Sequence, residues 1–151
     1  MSDGTTNFEL NELAAKLLIK NFKGCFMRDE LIGTMSENES MIINLDTSSN
    51  NGTHWCFLWI ENNKPIYYSS FGDPMPMEVI NYCHPHQILT SDIRIQDFNE
   101  KNCGLYCILI LYLLSNGHKF ENIILNINGT DDTEEFKTES NVGKIHDNRR
   151  S

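Results

Sequence analysis

The sequence lacks a long apolar run, an excess of basic residues and a leader segment. Its longest apolar stretch, residues 108–114, is far shorter than the roughly 20 residues of a membrane-spanning helix. The first residues are polar and acidic, with no basic segment followed by an apolar one, so we expect no signal peptide and an intracellular chain. Lys and Arg number 12 against 21 Asp and Glu, giving a formal charge of −9. That charge argues against nucleic acid as a partner, because phosphate contacts are made by Lys and Arg.

Metal-binding and disulfide patterns are also missing. The chain has five cysteines, an odd number without a leader, which does not suggest a disulfide framework. It has no CxxC or HxxxH pair, the spacings on which zinc sites are commonly built. We therefore expect neither a metal nor another cofactor. Four of the cysteines are interpreted as core or incidental residues, namely Cys25, Cys56, Cys83 and Cys107.

The length of 151 residues and the content of 40% hydrophobic and 22% charged residues are ordinary for one globular domain. From residue 128 onward the sequence becomes polar and charged, with few isolated apolar residues. We therefore predict a folded domain over residues 1–127 and a mostly disordered tail over residues 128–151. No internal repeat is visible, and we expect a monomer.

Apolar periodicity and turn residues predict a mixture of helices and strands. Residues 104–116 are apolar nearly all round, which is typical of a core helix, and Gly117 ends it. Residues 54–61 are apolar on both faces, as in a central strand. Helices are further predicted over 6–22, 76–82 and 120–127, a helical turn over 27–32, and strands over 41–45, 65–70, 87–90 and 93–96.

A cysteine, a histidine and a glutamine occupy positions that point to nucleophilic catalysis. Cys103 lies at the start of the predicted core helix, Gln96 lies seven residues upstream, and His54 begins the predicted central strand. A helix N-terminus carries about half a positive charge and can lower a thiol pKa below its usual value of about 8.5. A nearby imidazole can then accept the thiol proton, so we expect Cys103 Sγ within about 4 Å of a His54 ring nitrogen. The pattern indicates a hydrolase with a cysteine nucleophile.

These residues make the chain resemble the adenain-like cysteine proteases, the maturation proteases of adenoviruses, Polinton-type elements and virophages, which are related to the SUMO-specific proteases. The order histidine, acid, glutamine, cysteine is theirs and is the reverse of the papain-like order. The resemblance covers about residues 8–118 and leaves the tail unmatched. The motifs that carry it are His54-Trp55, Ser70-Phe71-Gly72, Gln96 and Cys103-Gly104-Leu105-Tyr106-Cys107, with residues 22–31 and 43–46 similar to the Polinton-type version.

The resemblance implies an α+β fold, in which a central, mostly antiparallel sheet packs against a buried helix with the nucleophile at its N-terminus. Cys103 would be that nucleophile and His54 its general base. The Gln96 side-chain amide and the Cys103 backbone N–H would form the oxyanion hole. Trp55 would cover the groove beside the scissile bond, which in this family favours glycine on the acyl side.

One position departs from the family pattern. The relatives carry Asp, Glu or Asn two residues before Phe-Gly, as the group that orients the histidine, whereas this chain has Ser69 there. A serine hydroxyl can hydrogen-bond the imidazole but brings no charge to stabilise its protonated form. Asp73, four residues further on, is the alternative acid, although it lies in a predicted turn.

The resemblance implies a cysteine endopeptidase that cleaves viral or virus-like structural precursor proteins at Gly-containing sites. Such an enzyme would act in the host cytoplasm or nucleus, in a virus factory, or inside the virion. Its partners would be a capsid or other precursor protein and an activating peptide. Two alternatives remain open: a protease of ubiquitin-like modifiers, and a weakly active pseudoprotease that binds peptides, for which the only support is Ser69.

Overall fold

A mixed β-sheet with helices on both faces forms the body of the molecule. The computed structural model describes residues 5–46, 54–95, 102–128, 136–140 and 143–144. The helices are α1 (Asn7–Lys16), α2 (Met77–Cys83), α3 (Cys103–Ser115) and α4 (Phe120–Asn128), with a 3₁₀ turn at Arg28–Glu30. The strands are β1 (Phe22–Met27), β2 (Glu39–Asn44), β3 (Trp55–Glu61), β4 (Lys64–Tyr68), β5 (Ile88–Ser91), β6 (Phe136–Ser140) and β7 (Gly143–Lys144).

The strands lie in the sheet in chain order, from β1 at one edge to β7 at the other. The pairs β1–β2 and β4–β5 are parallel, and the other four pairs are antiparallel. Parallel neighbours need a crossover connection, and between β4 and β5 that connection carries α2. The predicted α+β class, with a mostly antiparallel sheet against helices, is confirmed.

Two apolar layers bury both faces of the sheet. Side chains from β3 alternate between them: Phe57 and Trp59 belong to the layer that includes α1, α3 and α4, and Cys56 and Leu58 to the layer that includes α2. This double burial explains why β3 is apolar on both faces. It also places the start of β3 against the first turn of α3, which is where the candidate site lies.

The first helix is shorter than predicted. It ends at Lys16, where we expected it to continue to residue 22, and Leu18 and Asn21 adopt left-handed backbone angles with φ of 55° and 54°. Residues 17–21 form turns and a short irregular segment instead, and β1 begins at Phe22 and pairs with β2 through Cys25–Ile42 and its neighbours. Sheet hydrogen bonds between distant segments therefore override a local helical pattern.

Two other sequence predictions meet a different outcome. Residues 93–95 form no strand, although Ile93 is buried and the Ile95 N–H donates to the carbonyl of Ser70 at 2.9 Å. The region predicted as a tail contains β6 and β7, which extend the sheet beyond β5. The division of the chain at residue 127 remains a prediction. Among the described helices, none has the length and apolar content needed to cross a membrane.

Candidate active site

Cys103 is the first residue of α3, and its thiol is held against the start of β3. The Trp55 backbone N–H donates to Cys103 Sγ at 3.4 Å, and the thiol-bearing residue is only 8% exposed. Burial raises the pKa of the Cys103 thiol, while backbone hydrogen bonds from Trp55, Gly104 and Cys103 itself lower it, with a net increase. The expected lowering at the helix N-terminus is therefore outweighed by desolvation. In this arrangement Cys103 is a neutral thiol at neutral pH.

His54 immediately precedes β3, and its ring is buried and tightly packed. The imidazole stacks on Phe71 with ring centroids 4.1 Å apart and planes inclined by 12°. Its Nε2 atom lies 2.8 Å from Ser69 Oγ. Burial lowers the pKa of His54 to about 4, although the nearby Asp73 carboxylate opposes that shift. The imidazole is therefore neutral at neutral pH.

The other ring nitrogen of His54 is free to act as a base. Nδ1 is buried and has no hydrogen-bond partner among the described residues. No hydrogen bond joins it to Cys103 Sγ, so the close approach of the sulfur to a ring nitrogen remains a prediction. Hydrogen bonds between catalytic groups are often long or poorly aligned without substrate and shorten only when substrate binds.

A short turn from Ser69 to Asp73 supplies the groups around His54 Nε2. The Gly72 N–H donates to the Ser69 carbonyl at 2.8 Å, which closes the turn. Gly72 has φ of 74°, and a Cβ at this position would lie 2.6 Å from the carbonyl oxygen of Asp92. Only glycine fits there without strain. The turn brings Asp73 Oδ2 to 3.4 Å from Ser69 Oγ and 3.9 Å from His54 Nε2.

The hydrogen bonds of the Ser69 hydroxyl determine where the proton on His54 lies. The hydroxyl has one hydrogen, and an ionised Asp73 can only accept it. The Phe71 N–H donates to the same oxygen at 3.3 Å. The direction of the 2.8 Å hydrogen bond between His54 Nε2 and Ser69 Oγ depends on the His54 tautomer, and Nε2–H is the donor when the Ser69 hydrogen is directed to Asp73. In that tautomer the proton lies on Nε2 and a lone pair lies on Nδ1.

Trp55 joins the N-terminal segment to the first turn of α3. Its indole N–H donates to the carbonyl of Thr5 at 3.2 Å. A Cβ built on Gly104 would lie 3.2 Å from Trp55 Cδ1 and 3.0 Å from Leu10 Cδ2, so the absence of a side chain lets the indole pack directly on α3. The half-buried Trp55 therefore lies beside Cys103, and its role in covering the substrate groove remains a prediction.

The structure brings together most of the predicted site residues. His54 contacts Ser69, and Cys103 contacts the backbone of Trp55, which follows His54. Gln96 lies outside the described residues, so its place in the oxyanion hole remains a prediction. The sequence analysis missed the stacking of Phe71 on His54 and treated Asp73 only as an alternative to Ser69. The four-residue spacing from Ser69 to Asp73, with Gly72 between them, was the available signal.

The described residues also form two surface cavities, which lie away from Cys103 and His54. The cavities, of about 270 and 800 Å³, both border Trp59, Glu61 and Ile66, at the opposite end of β3. Across the described ranges there is no group of three His, Cys, Asp or Glu side chains that could hold a metal ion.

A comparison with solved structures shows a related fold. The crystal structure of the ASFV pS273R protease matches this chain with a TM-score of 0.50 at 17% sequence identity. The match covers 87% of this chain and 65% of that protease, so this chain spans less than two thirds of the protease's length. No protein-family profile matches the sequence, and no curated protein is significantly similar to it. The likeness establishes a fold similar to that of a cysteine protease.

Proposed function

We propose that the protein is a cysteine endopeptidase with Cys103 as nucleophile and His54 as general base. The observation that carries the proposal is the pair of environments on the two sides of the His54 ring. Nε2 is bound to Ser69, whereas the buried Nδ1 has no partner among the described residues. A buried nitrogen without a hydrogen-bond partner lowers the free energy of unfolding, so it is not expected in a histidine that serves only to stabilise the fold.

The reaction would begin from a neutral thiol and a neutral imidazole. As Cys103 Sγ attacks the scissile carbonyl carbon, its proton passes to His54 Nδ1, and the carbonyl oxygen takes up negative charge. The imidazolium then protonates the leaving amine as the C–N bond breaks, which leaves an acyl-enzyme thioester. Water, deprotonated by His54, attacks the thioester, and Sγ leaves and regains its proton. Cys103 and His54 would thus begin and end the cycle as a neutral thiol and a neutral imidazole, and His54 would be protonated in between.

The charges formed in this cycle need stabilisation from the surrounding residues. We propose the Cys103 backbone N–H at the start of α3 and the Gln96 side-chain amide as the two donors to the oxyanion. The imidazolium would be stabilised by Ser69 and Asp73 at Nε2 and by the face of Phe71, since an aromatic face attracts cations.

The proposed substrates are structural precursor proteins of a virus or virus-like element, cleaved at Gly-containing sites. The activating peptide, the monomeric state and a location in the host cytoplasm, nucleus or virion are part of the same proposal. A ubiquitin-like modifier is the second candidate substrate class.

Selective labelling of Cys103 tests the enzyme assignment. A thiol-reactive peptide probe that ends in glycine should label the parent protein at Cys103, and His54→Ala should reduce the labelling rate at least about a hundredfold, the lower range for loss of a general base. Cys25→Ala is the matched control, because Cys25 is half-buried and lies on β1, and it should label like the parent. Equal labelling of all cysteines would contradict the assignment and favour a pseudoprotease.

Peptide panels then distinguish the substrate classes. Incubation with capsid-precursor peptides and with ubiquitin-like precursor proteins, followed by mass spectrometry of the products, should show cleavage of the first set after glycine. Cleavage of the modifiers alone would support the second class. Labelling without cleavage of either set would leave the chemistry intact and reject both substrate classes.

A further inference from the structure

We propose that Asp73 is a positioning residue that acts on His54 through the Ser69 hydroxyl, so that Ser69 and Asp73 work in series where relatives use one acid. The activity readouts of this proposal rest on the proposed peptidase function. The structural readouts do not, because they concern the hydrogen bonds of His54 alone.

The distances favour a relay over direct contact. His54 Nε2 and Asp73 Oδ2 are 3.9 Å apart, which is too long for a hydrogen bond. Ser69 Oγ is within hydrogen-bond distance of both atoms, 2.8 Å from Nε2 and 3.4 Å from Oδ2. The hydroxyl can donate to Asp73 while it accepts from His54, so both legs are satisfied by one proton arrangement.

Burial explains why a relay is useful at this site. Ser69 is 1% exposed, so water does not compete for its hydroxyl, whereas the Asp73 side chain is 37% exposed and its carboxylate is partly solvated. The relay extends the influence of a partly solvated carboxylate into a pocket where a buried carboxylate would be expensive. The charge then stabilises the imidazolium without being buried beside it.

The backbone holds the relay in place before substrate binds. The turn at Ser69–Gly72 fixes the spacing of the two side chains, and the Gly72 backbone lies against the Asp92 carbonyl. The Ile95 N–H donates to the Ser70 carbonyl, which anchors the same segment to the chain after β5. The relay is therefore preorganised by main-chain contacts.

A double-mutant cycle tests whether the two residues act in series. Ser69→Ala and Asp73→Asn should each lower kcat/KM by about 10- to 100-fold, the range for a hydrogen bond to a charged group. The kcat/KM of the double variant should lie within about threefold of that of the less active single variant, because loss of either hydrogen bond disconnects the Asp73 carboxylate from His54. Glu37→Gln, which removes an exposed carboxylate remote in sequence from this turn, is the matched charge control and should match the parent.

Imidazole ¹⁵N spectra provide a readout that does not need turnover. At pH 7 the parent should show His54 as the Nε2–H tautomer, Asp73→Asn should keep that tautomer but weaken the hydrogen bond, and Ser69→Ala should mix the two tautomers. A parent spectrum dominated by Nδ1–H would overturn the proposal. So would an Asp73→Asn variant whose activity and spectrum both equal those of the parent, and so would losses that multiply in the double variant.

The two hypotheses fail in different ways. If the parent cleaves and labels nothing, the peptidase function fails, and the ¹⁵N spectra of the parent and of Asp73→Asn still decide the relay. Asp73→Asn is the decisive variant if Ser69→Ala does not fold, since Asp73 is partly exposed and Asn preserves its shape.

Discussion

The two sides of the His54 ring differ in how completely they are built. On the Nε2 side, Ser69, Phe71 and Asp73 surround the ring with a hydrogen bond at 2.8 Å, a stacked aromatic at 4.1 Å and a carboxylate at 3.9 Å. On the Nδ1 side, no hydrogen bond is made within the described part of the chain. Under the proposed function, the Nε2 side would be a positioning side that is complete in the free protein, and the Nδ1 side would be a reactive side that is left open for the thiol and the substrate.

The largest expected effect comes from removing the Cys103 thiol. Cys103→Ala should abolish peptide cleavage, because no other described thiol lies at the start of α3, and the free energy of unfolding should change little for so small a deletion at a helix end. Product formation and urea denaturation of the same preparation check both statements. Residual cleavage in a pure Cys103→Ala sample would assign the nucleophile elsewhere.

Loss of the proposed oxyanion donor should have the next largest effect. Gln96→Ala should lower kcat by about 10²–10³ with little change in KM, since the amide would contact the oxyanion mainly in the transition state. Gln87→Ala, an exposed amide before β5, is the matched control. If Gln96→Ala turns over like the parent, Gln96 does not belong to the site.

Stability should depend on pH through the buried imidazole. His54 has a pKa of about 4 in the folded state against about 6.5 unfolded, so it is neutral in both states above pH 6.5. As the pH falls below 6.5 the unfolded chain binds the proton first, and stability is lost until about pH 4. The loss should total about 3 kcal/mol in chemical denaturation, and His54→Asn should remove it. An unchanged pH slope in His54→Asn would place the histidine in solvent.

The turn from Ser69 to Asp73 can be disrupted without changing any side chain that contacts His54. Gly72→Ala forces a Cβ into the Asp92 carbonyl and into a left-handed φ, which should cost about 1–3 kcal/mol of stability. Activity should also fall, because Ser69 and Asp73 move apart. Gly33→Ala, also at positive φ but with open space around it, should cost stability without affecting activity. Equal activity losses in both variants would contradict the positional role of the turn.

The smallest expected effect comes from moving the carboxylate from position 73 to position 69, which should retain or increase activity. Ser69→Asp combined with Asp73→Asn places the carboxylate where relatives have it, and kcat/KM should equal that of the parent or exceed it by up to about tenfold, the worth of about 1.4 kcal/mol. Ser69→Asp alone should gain less, because two carboxylates would lie side by side and one would protonate. If the double variant is far less active than the parent, the pocket does not accept a buried charge.

The features that depend on local pattern could be predicted from the amino-acid sequence. The apolar runs at residues 54–61 and 104–116 predicted the central strand and the core helix, and the structure has both, as β3 and α3. The positions of His54 at a strand start and Cys103 at a helix start follow from the same patterns. Burial on all sides leaves no clear period in either run, so their lengths separate them: β3 has 7 residues and α3 has 13.

Other features depend on contacts between segments that are far apart in the chain, and these are visible only in the three-dimensional structure. The pairing of β1 with β2 ended α1 at Lys16, and the contact of Gly72 with Asp92 set the turn that joins Ser69 to Asp73. The protonation states were decided in the same way, since burial raises the pKa of Cys103 and lowers that of His54 against the helix dipole and the nearby carboxylate. Desolvation and hydrogen bonding sum over residues far apart in the chain, so no local pattern contains them.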